Sequence, residues 1–263
     1  MFGRLKNWRN RRILRKARFG ERVVTTALAS LPFLEQLDQQ QRQRLVELAI
    51  LFCHEKRFEG AHGLDITDHM RLFIALQACL PILELGLDCY RGWVSIIVYP
   101  AAFAPERLIV DEDGVEHVER RDLSGEAWQQ GPVILSWEDV EYPGWAEGVN
   151  LVIHEFAHKL DMQNGEANGF PPLHRGMDTE IWSATLQAGF DDLQLRCDAD
   201  EEALIDCYAA NSPAEFFAVL SEVFFMRADL LQYSYPQIYQ QFRLYYRQDP
   251  LARIAPGPVD QAD

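Results

Sequence analysis

The sequence predicts an α+β fold, with a small mixed sheet in its first half followed by a helical second half. Three observations carry this. Two β-branched and aromatic runs, Val94-Ser-Ile-Ile-Val-Tyr99 and Val133-Ile-Leu-Ser-Trp137, read as strands and precede residue 146. Beyond that point apolar residues suit helices only, at about 147–162, 178–195, 213–226 and 236–249. Pro213 after Ser212 and Pro236 after Tyr235 sit where a first helical turn tolerates proline.

In chain order, residues 1–20 form a basic N-terminal arm with eight Lys/Arg and no acid. It reads as a frayed or loosely docked terminus, with contact to anionic lipid, RNA or an acidic partner as the alternative. Asp38 opens an amphipathic helix through about His54, with Leu45, Leu48, Ala49 and Phe52 at helical spacing. Thr67 or Asp68 caps a second helix, whose Leu72, Ile74, Ala75 and Cys79 run up to the breaker Pro81. Pro100 ends the first strand, and Asp111-Glu-Asp-Gly114 is a turn before Val115. After the arm, residues 21–263 are expected to form one domain. A candidate sub-boundary near residue 146 carries no Gly/Ser-rich linker.

Composition excludes several classes. At 263 residues, 48% hydrophobic and 25% charged, the chain has the profile of a globular protein that can bury a sizeable core. No apolar run approaches the roughly 18–20 residues of a membrane helix, and the first residues hold no apolar signal region, so a cytoplasmic address is expected. The net charge of −15 leaves −23 on the 243 residues outside the arm. Such an acidic body is a poor direct partner for nucleic acid. Five cysteines without a C-x-x-C pair argue against a disulfide scaffold and a thiolate zinc finger, and they read as reduced, mostly buried thiols.

The chemistry concentrates in Gly148-Val-Asn-Leu-Val-Ile-His154-Glu155-Phe-Ala-His158-Lys-Leu-Asp161. On a helix His154 and His158 lie one turn apart on one face, able to grip one ion. Two imidazoles suit Zn²⁺, and Glu155 between them suits a general base. Zinc in a hydrolase wants a third protein ligand and one open position. The metzincin pattern would place a glycine at 161 and a histidine at 164, where this chain has Asp161 and Asn164. Downstream, His174 sits in a Pro-rich loop. The better source is Ser212-Pro-Ala-Glu215-Phe-Phe-Ala-Val-Leu-Ser-Glu222, a run apolar nearly all round, as in a buried helix. Glu215 and Glu222 share one face of it, and each needs a cation or donor if buried. Physical reasoning leaves the choice between them open.

Four segments together resemble the Mlc titration factor A family, also called DgsA anti-repressors, which are bacterial cytosolic zinc peptidases. They are His154–Asp161, Tyr208-Ala-Ala-Asn-Ser-Pro-Ala-Glu215 through Glu222, Met70–Pro81 and Tyr90–Pro100. The likeness runs from about Leu31 to Pro250. The metal-site portion is also similar to the catalytic domain of anthrax lethal factor, which shares H-E-F-x-H followed by Tyr-x6-Glu. The resemblance implies one zinc per chain on His154, His158 and Glu215, with Glu155 and Tyr208 as catalytic residues. Asp161 is expected to orient an imidazole or cap its helix, and Glu222 is the other residue placed to support a ligand. The implied activity is hydrolysis of peptide bonds by zinc-activated water, as an aminopeptidase on peptide substrates. The family also implies sequestration of the Mlc transcriptional repressor, which controls glucose phosphotransferase genes. The alternative reading is a repressor-binding protein whose zinc site is structural.

Overall fold

A computed structural model describes residues 2–16, 19–102, 106–110, 116–120, 125–127, 131–141, 144–199 and 203–253. It has the expected α+β character. Helices α1 (Phe2–Lys16), α2 (Glu21–Ala29), α3 (Gln39–Glu55) and α4 (Asp68–Cys79) precede or interleave with strands β1 (Arg57–Gly60) and β2 (Ser95–Tyr99). A hairpin of β3 (Glu106–Val110) and β4 (Glu116–Arg120) follows, then β5 (Gly125–Ala127) and β6 (Val133–Ser136). The turn expected at Asp111–Gly114 lies outside the described residues. The rest is helical: α5 (Trp137–Glu141), α6 (Leu151–Asp161), α7 (Thr179–Asp198), α8 (Pro213–Met226), α9 (Ala228–Ser234) and α10 (Pro236–Tyr246).

The main sheet has the order β1-β2-β6-β5. Its first three strands are parallel, with Ile96 opposite Phe58 and Val133, while β5 runs antiparallel along β6 with Gly125 opposite Leu135. β5 is therefore an edge strand, and α6 packs against it.

Local chemistry sets the helix starts. Asp38 accepts from the Gln41 amide while the Gln41 side chain accepts from the Asp38 amide, a full capping box for α3. Thr67 caps α4 through the Met70 amide. The helix predicted from 147 begins four residues later. Trp145–Gly148 forms a turn with Gly148 at φ +94°, and the Asn150 side chain then accepts from the Ile153 amide as the true cap. The helix predicted to 249 stops at Tyr246, because Arg247 takes the left-handed conformation at φ +54°.

One contiguous core of buried residues runs from Ala27 to Tyr246. The back of α6 is anchored in it by Phe156, whose ring lies 5.6 Å from Phe52, 5.1 Å from Tyr90 and 5.7 Å from Trp93. Aromatic contacts of this kind fix a helix in rotation as well as position. Among the described residues no helix is long and apolar enough to cross a membrane.

Two expectations are corrected. The basic arm is helical over residues 2–16, and Arg9 pairs with Glu55 on α3 at 2.5 Å. On the arm Ile13 and Leu14 are half-buried while Trp8 is exposed. The cysteines are not all thiols: Cys197, near the end of α7, is bonded to Cys207, while Cys53, Cys79 and Cys89 are free. The bond closes a loop over a separation of 10 residues. In the chain-entropy picture a closure of that length stabilises by about 2–3 kcal/mol. Cys197→Ser is therefore expected to lower unfolding stability by that amount. Chemical denaturation with and without a phosphine reductant measures it, and the variant should no longer respond to the reductant.

Candidate metal centre

His154 and His158 project from successive turns of α6, and Glu215 from the first turn of α8, the helix packed alongside it. Ser212 caps α8 by accepting from the Glu215 amide at 3.2 Å, and Pro213 follows at the first helical position. That geometry places Glu215 at the end of α8. Its Oε2 lies 3.0 Å from His154 Nε2 and 3.5 Å from His158 Nε2, and the two imidazole nitrogens are 3.2 Å apart. The three residues form a group whose donor atoms can hold one metal ion.

The two glutamates, left open by the sequence, meet opposite nitrogens of His154. Glu222 lies two turns deeper on α8 and reaches the far side of the His154 ring, its Oε1 2.7 Å from Nδ1. Its Oε2 accepts from the Asn150 amide at 2.5 Å, and Asn150 Nδ2 donates to Gln77 Oε1 at 2.9 Å. With Nδ1–H given to Glu222, a neutral His154 turns a bare Nε2 toward Glu215. Glu215 Oε2 is itself buried with no hydrogen-bond partner. Lone pairs at these separations repel unless a proton or a cation stands between them. Two imidazole nitrogens and one carboxylate oxygen that is buried without a hydrogen bond are a donor set that suits zinc.

Without a metal, the charges favour a proton in the place where a cation would stand. Burial disfavours a charged His154, yet contacts with Glu215 and Glu222 outweigh it and hold the imidazole well above its ordinary range. Burial raises Glu215, but the two histidines outweigh it and hold the carboxyl well below the usual range. His158 has no support like that of His154: its Nδ1 is buried without a partner among the described residues.

Glu155 is 4% exposed, and its Oε2 is buried without a hydrogen bond. Burial pushes its carboxyl up to about 7, against the lowering by His154 and His158. On its open side runs β5, where a Cβ at Gly125 would collide with Glu155 Oε1. Only glycine lets that strand approach so closely. Tyr208 sits in a short 3-10 turn, Cys207–Asn211, just before α8. It is 50% exposed, with its ring 6.1 Å from that of His154. Burial, then the charges of Glu215 and Glu155, push the phenol up to about 12, so it remains a protonated donor near neutrality.

Two other candidates take different parts. Asp161 is buried and touches neither imidazole; its Oδ2 accepts from the Asn168 and Gly169 amides, both at 2.7 Å. Gly169, at φ +76°, is thereby held so close to the Pro213 carbonyl that no Cβ would fit. Asp161 thus ties the loop after α6 to the start of α8. His174 lies away from the centre, its Nε2 2.7 Å from the Tyr245 carbonyl and its ring stacked on Tyr245. Sequence reasoning missed Gly125, Asn150 and Gln77. Only Asn150, a capping residue type before an apolar run, carried a usable signal.

Comparison with known proteins agrees with the geometry. The sequence model of the glucose-regulated metallo-peptidase M90 family matches residues 5–247. Mlc titration factor A of Serratia proteamaculans (strain 568) is 42% identical over 228 residues, which cover 86% of this chain and 87% of that protein. Mlc titration factor A of Yersinia pestis (strain Pestoides F) is 41% identical, covering 86% of this chain and 84% of its own length. A family match over nearly the whole chain and relatives of this identity, together with a His-His-Glu group of metal-binding geometry, establish that the chain belongs to the glucose-regulated metallo-peptidase M90 family.

Proposed function

We propose that this protein is a zinc-dependent peptidase acting as an aminopeptidase, with zinc on His154, His158 and Glu215. The observation that carries this is the convergence of those three donors beside a buried, unpartnered Glu155. Bound zinc supplies a Lewis acid and brings the pKa of a water toward about 7. Glu155 accepts the proton of the attacking water and returns it to the departing amine. Tyr208, from the half-exposed turn before α8, donates its hydroxyl to the oxygen on which charge develops. Glu222 holds His154 in the tautomer that leaves Nε2 free.

A peptide substrate suits the surroundings. Among the described residues nothing pairs with the outer edge of β5, and the backbone of that strand runs against Glu155. A peptide added there as a further strand would lie beside the base. The acidity of the chain outside its first 20 residues suits a free ammonium end. Comparing matched peptides with free and acetylated N-termini tests the aminopeptidase assignment. Hydrolysis of the free peptide at its first bond is expected, and equal cleavage of both would overturn it.

Tyr208→Phe is expected to lower kcat about 10²-fold with little change in KM, because the hydroxyl acts on charge present only in the transition state. Steady-state kinetics on the zinc-loaded variant give the answer. An unchanged kcat would remove Tyr208 from the mechanism.

The name of the relatives supports a second, compatible role, the binding of an Mlc-type transcriptional repressor. If that binding uses the outer surface, Glu155→Gln should leave it intact, since one buried group in the cleft changes. Co-purification of wild type and variant with such a repressor tests this, and selective loss in the variant would mean that the repressor enters the cleft.

A further inference from the structure

Away from the metal centre, a cleft of about 820 Å³ opens between α1 on one side and α3 and α4 on the other. Positions 9, 12, 13 and 16 fall on one face of α1 at helical spacing, so Arg9, Arg12, Ile13 and Lys16 all line it. Arg71 lines it from α4, and Ile50 and His54 from α3. Phe19, just past α1, adds a further apolar surface.

The charges in this cleft are not balanced. Arg9 is matched by Glu55. Arg12 lies over the exposed Trp8 ring at 5.7 Å, and Arg71 over Phe58 at 5.7 Å. Among the described residues no carboxylate pairs with Arg12, Lys16 or Arg71, although Asp68 also lines the cleft. Arg12 and Lys16 are four residues apart on α1, an arrangement of like charges that weakens a helix. A bound anion would relieve that repulsion.

The shape and lining narrow the ligand. Ile13, Phe19 and Ile50 offer apolar contact that a simple inorganic ion would not use. Glu55 and Asp68 in the cleft, and the −23 carried outside the arm, would repel a polyanion such as RNA. A cleft of this volume is of the size that encloses small molecules. We infer that it binds an amphiphilic anion, a single phosphate or carboxylate head on an apolar chain, with Arg12, Lys16 and Arg71 at the head and Ile13, Phe19 and Ile50 along the chain. This site is independent of the peptidase reading.

Calorimetric titration of the full chain with octyl phosphate, dissolved below its micellar threshold, tests the inference. One saturable site is expected, binding inorganic phosphate at least tenfold more weakly. The affinity should fall at least tenfold in Arg12→Glu/Lys16→Glu, and also in Arg71→Ala, which leaves α1 untouched. Far-UV circular dichroism on the variants verifies that they remain folded. A parallel arm with vesicles containing phosphatidylglycerol identifies the source of the head. Competition between vesicles and octyl phosphate marks a membrane lipid, and octyl phosphate binding without vesicle binding marks a dissolved molecule. No saturable binding of octyl phosphate, binding indifferent to these substitutions, or binding to RNA or vesicles alone would overturn the proposal.

Discussion

Glu155→Gln is expected to keep a full equivalent of zinc and to lose at least about 10²-fold in peptide hydrolysis. The two halves of this result have separate causes. Glu155 follows His154 in sequence, but its carboxyl is not among the three converging donors, so the amide should not disturb metal binding. The same carboxyl is buried, has an orphaned oxygen, and lies close against the Gly125 backbone. An amide of nearly the same shape preserves that packing and cannot accept the proton. Metal analysis with kinetics on the same preparation separates the effects. Near-normal turnover would remove Glu155 from the mechanism.

The second large effect concerns the glutamates of α8. Glu215→Gln should lose most of its zinc and with it hydrolysis, because the carboxylate oxygen 3.0 Å from His154 Nε2 then loses its charge. Glu222→Gln should retain zinc with an affinity weakened about 10- to 100-fold. Glu222 accepts two N–H donors, from His154 Nδ1 and the Asn150 amide. Glutamine offers one acceptor oxygen, so one of those donors would face an NH₂ group. Equilibrium competition against a chelator ranks the two variants. Full zinc in Glu215→Gln with loss in Glu222→Gln would reverse their roles.

Much of the fold was readable because its signals are local. The Asp38 capping box, the Thr67 cap and the prolines opening α8 and α10 are short-range chemistry that needs no tertiary context. The spacing of His154 and His158 is likewise a property of one helix. What sequence left open depends on which helix end faces which neighbour. Glu215 and Glu222 share a face of a buried helix, and only the docking of α8 on α6 sends one to Nε2 and the other to Nδ1. β5 is three residues long and includes a glycine, too short for any periodicity to show. The pairing of Cys197 with Cys207 has no spacing signature, and it emerges only when α7 brings its end beside the Tyr208 turn. Asp161 was misread because its partners, the Asn168 and Gly169 amides, belong to a loop that curls back beneath it.

The central claim is that the His154–His158–Glu215 group holds a single catalytic zinc. Titrating zinc into chelator-stripped protein while following hydrolysis of a free-amine peptide tests it most directly. No hydrolysis is expected without metal, then a linear rise on addition of zinc and a sharp break at one equivalent per chain. Full hydrolysis by the stripped protein, or one tightly bound equivalent with no hydrolysis of any peptide, would contradict it.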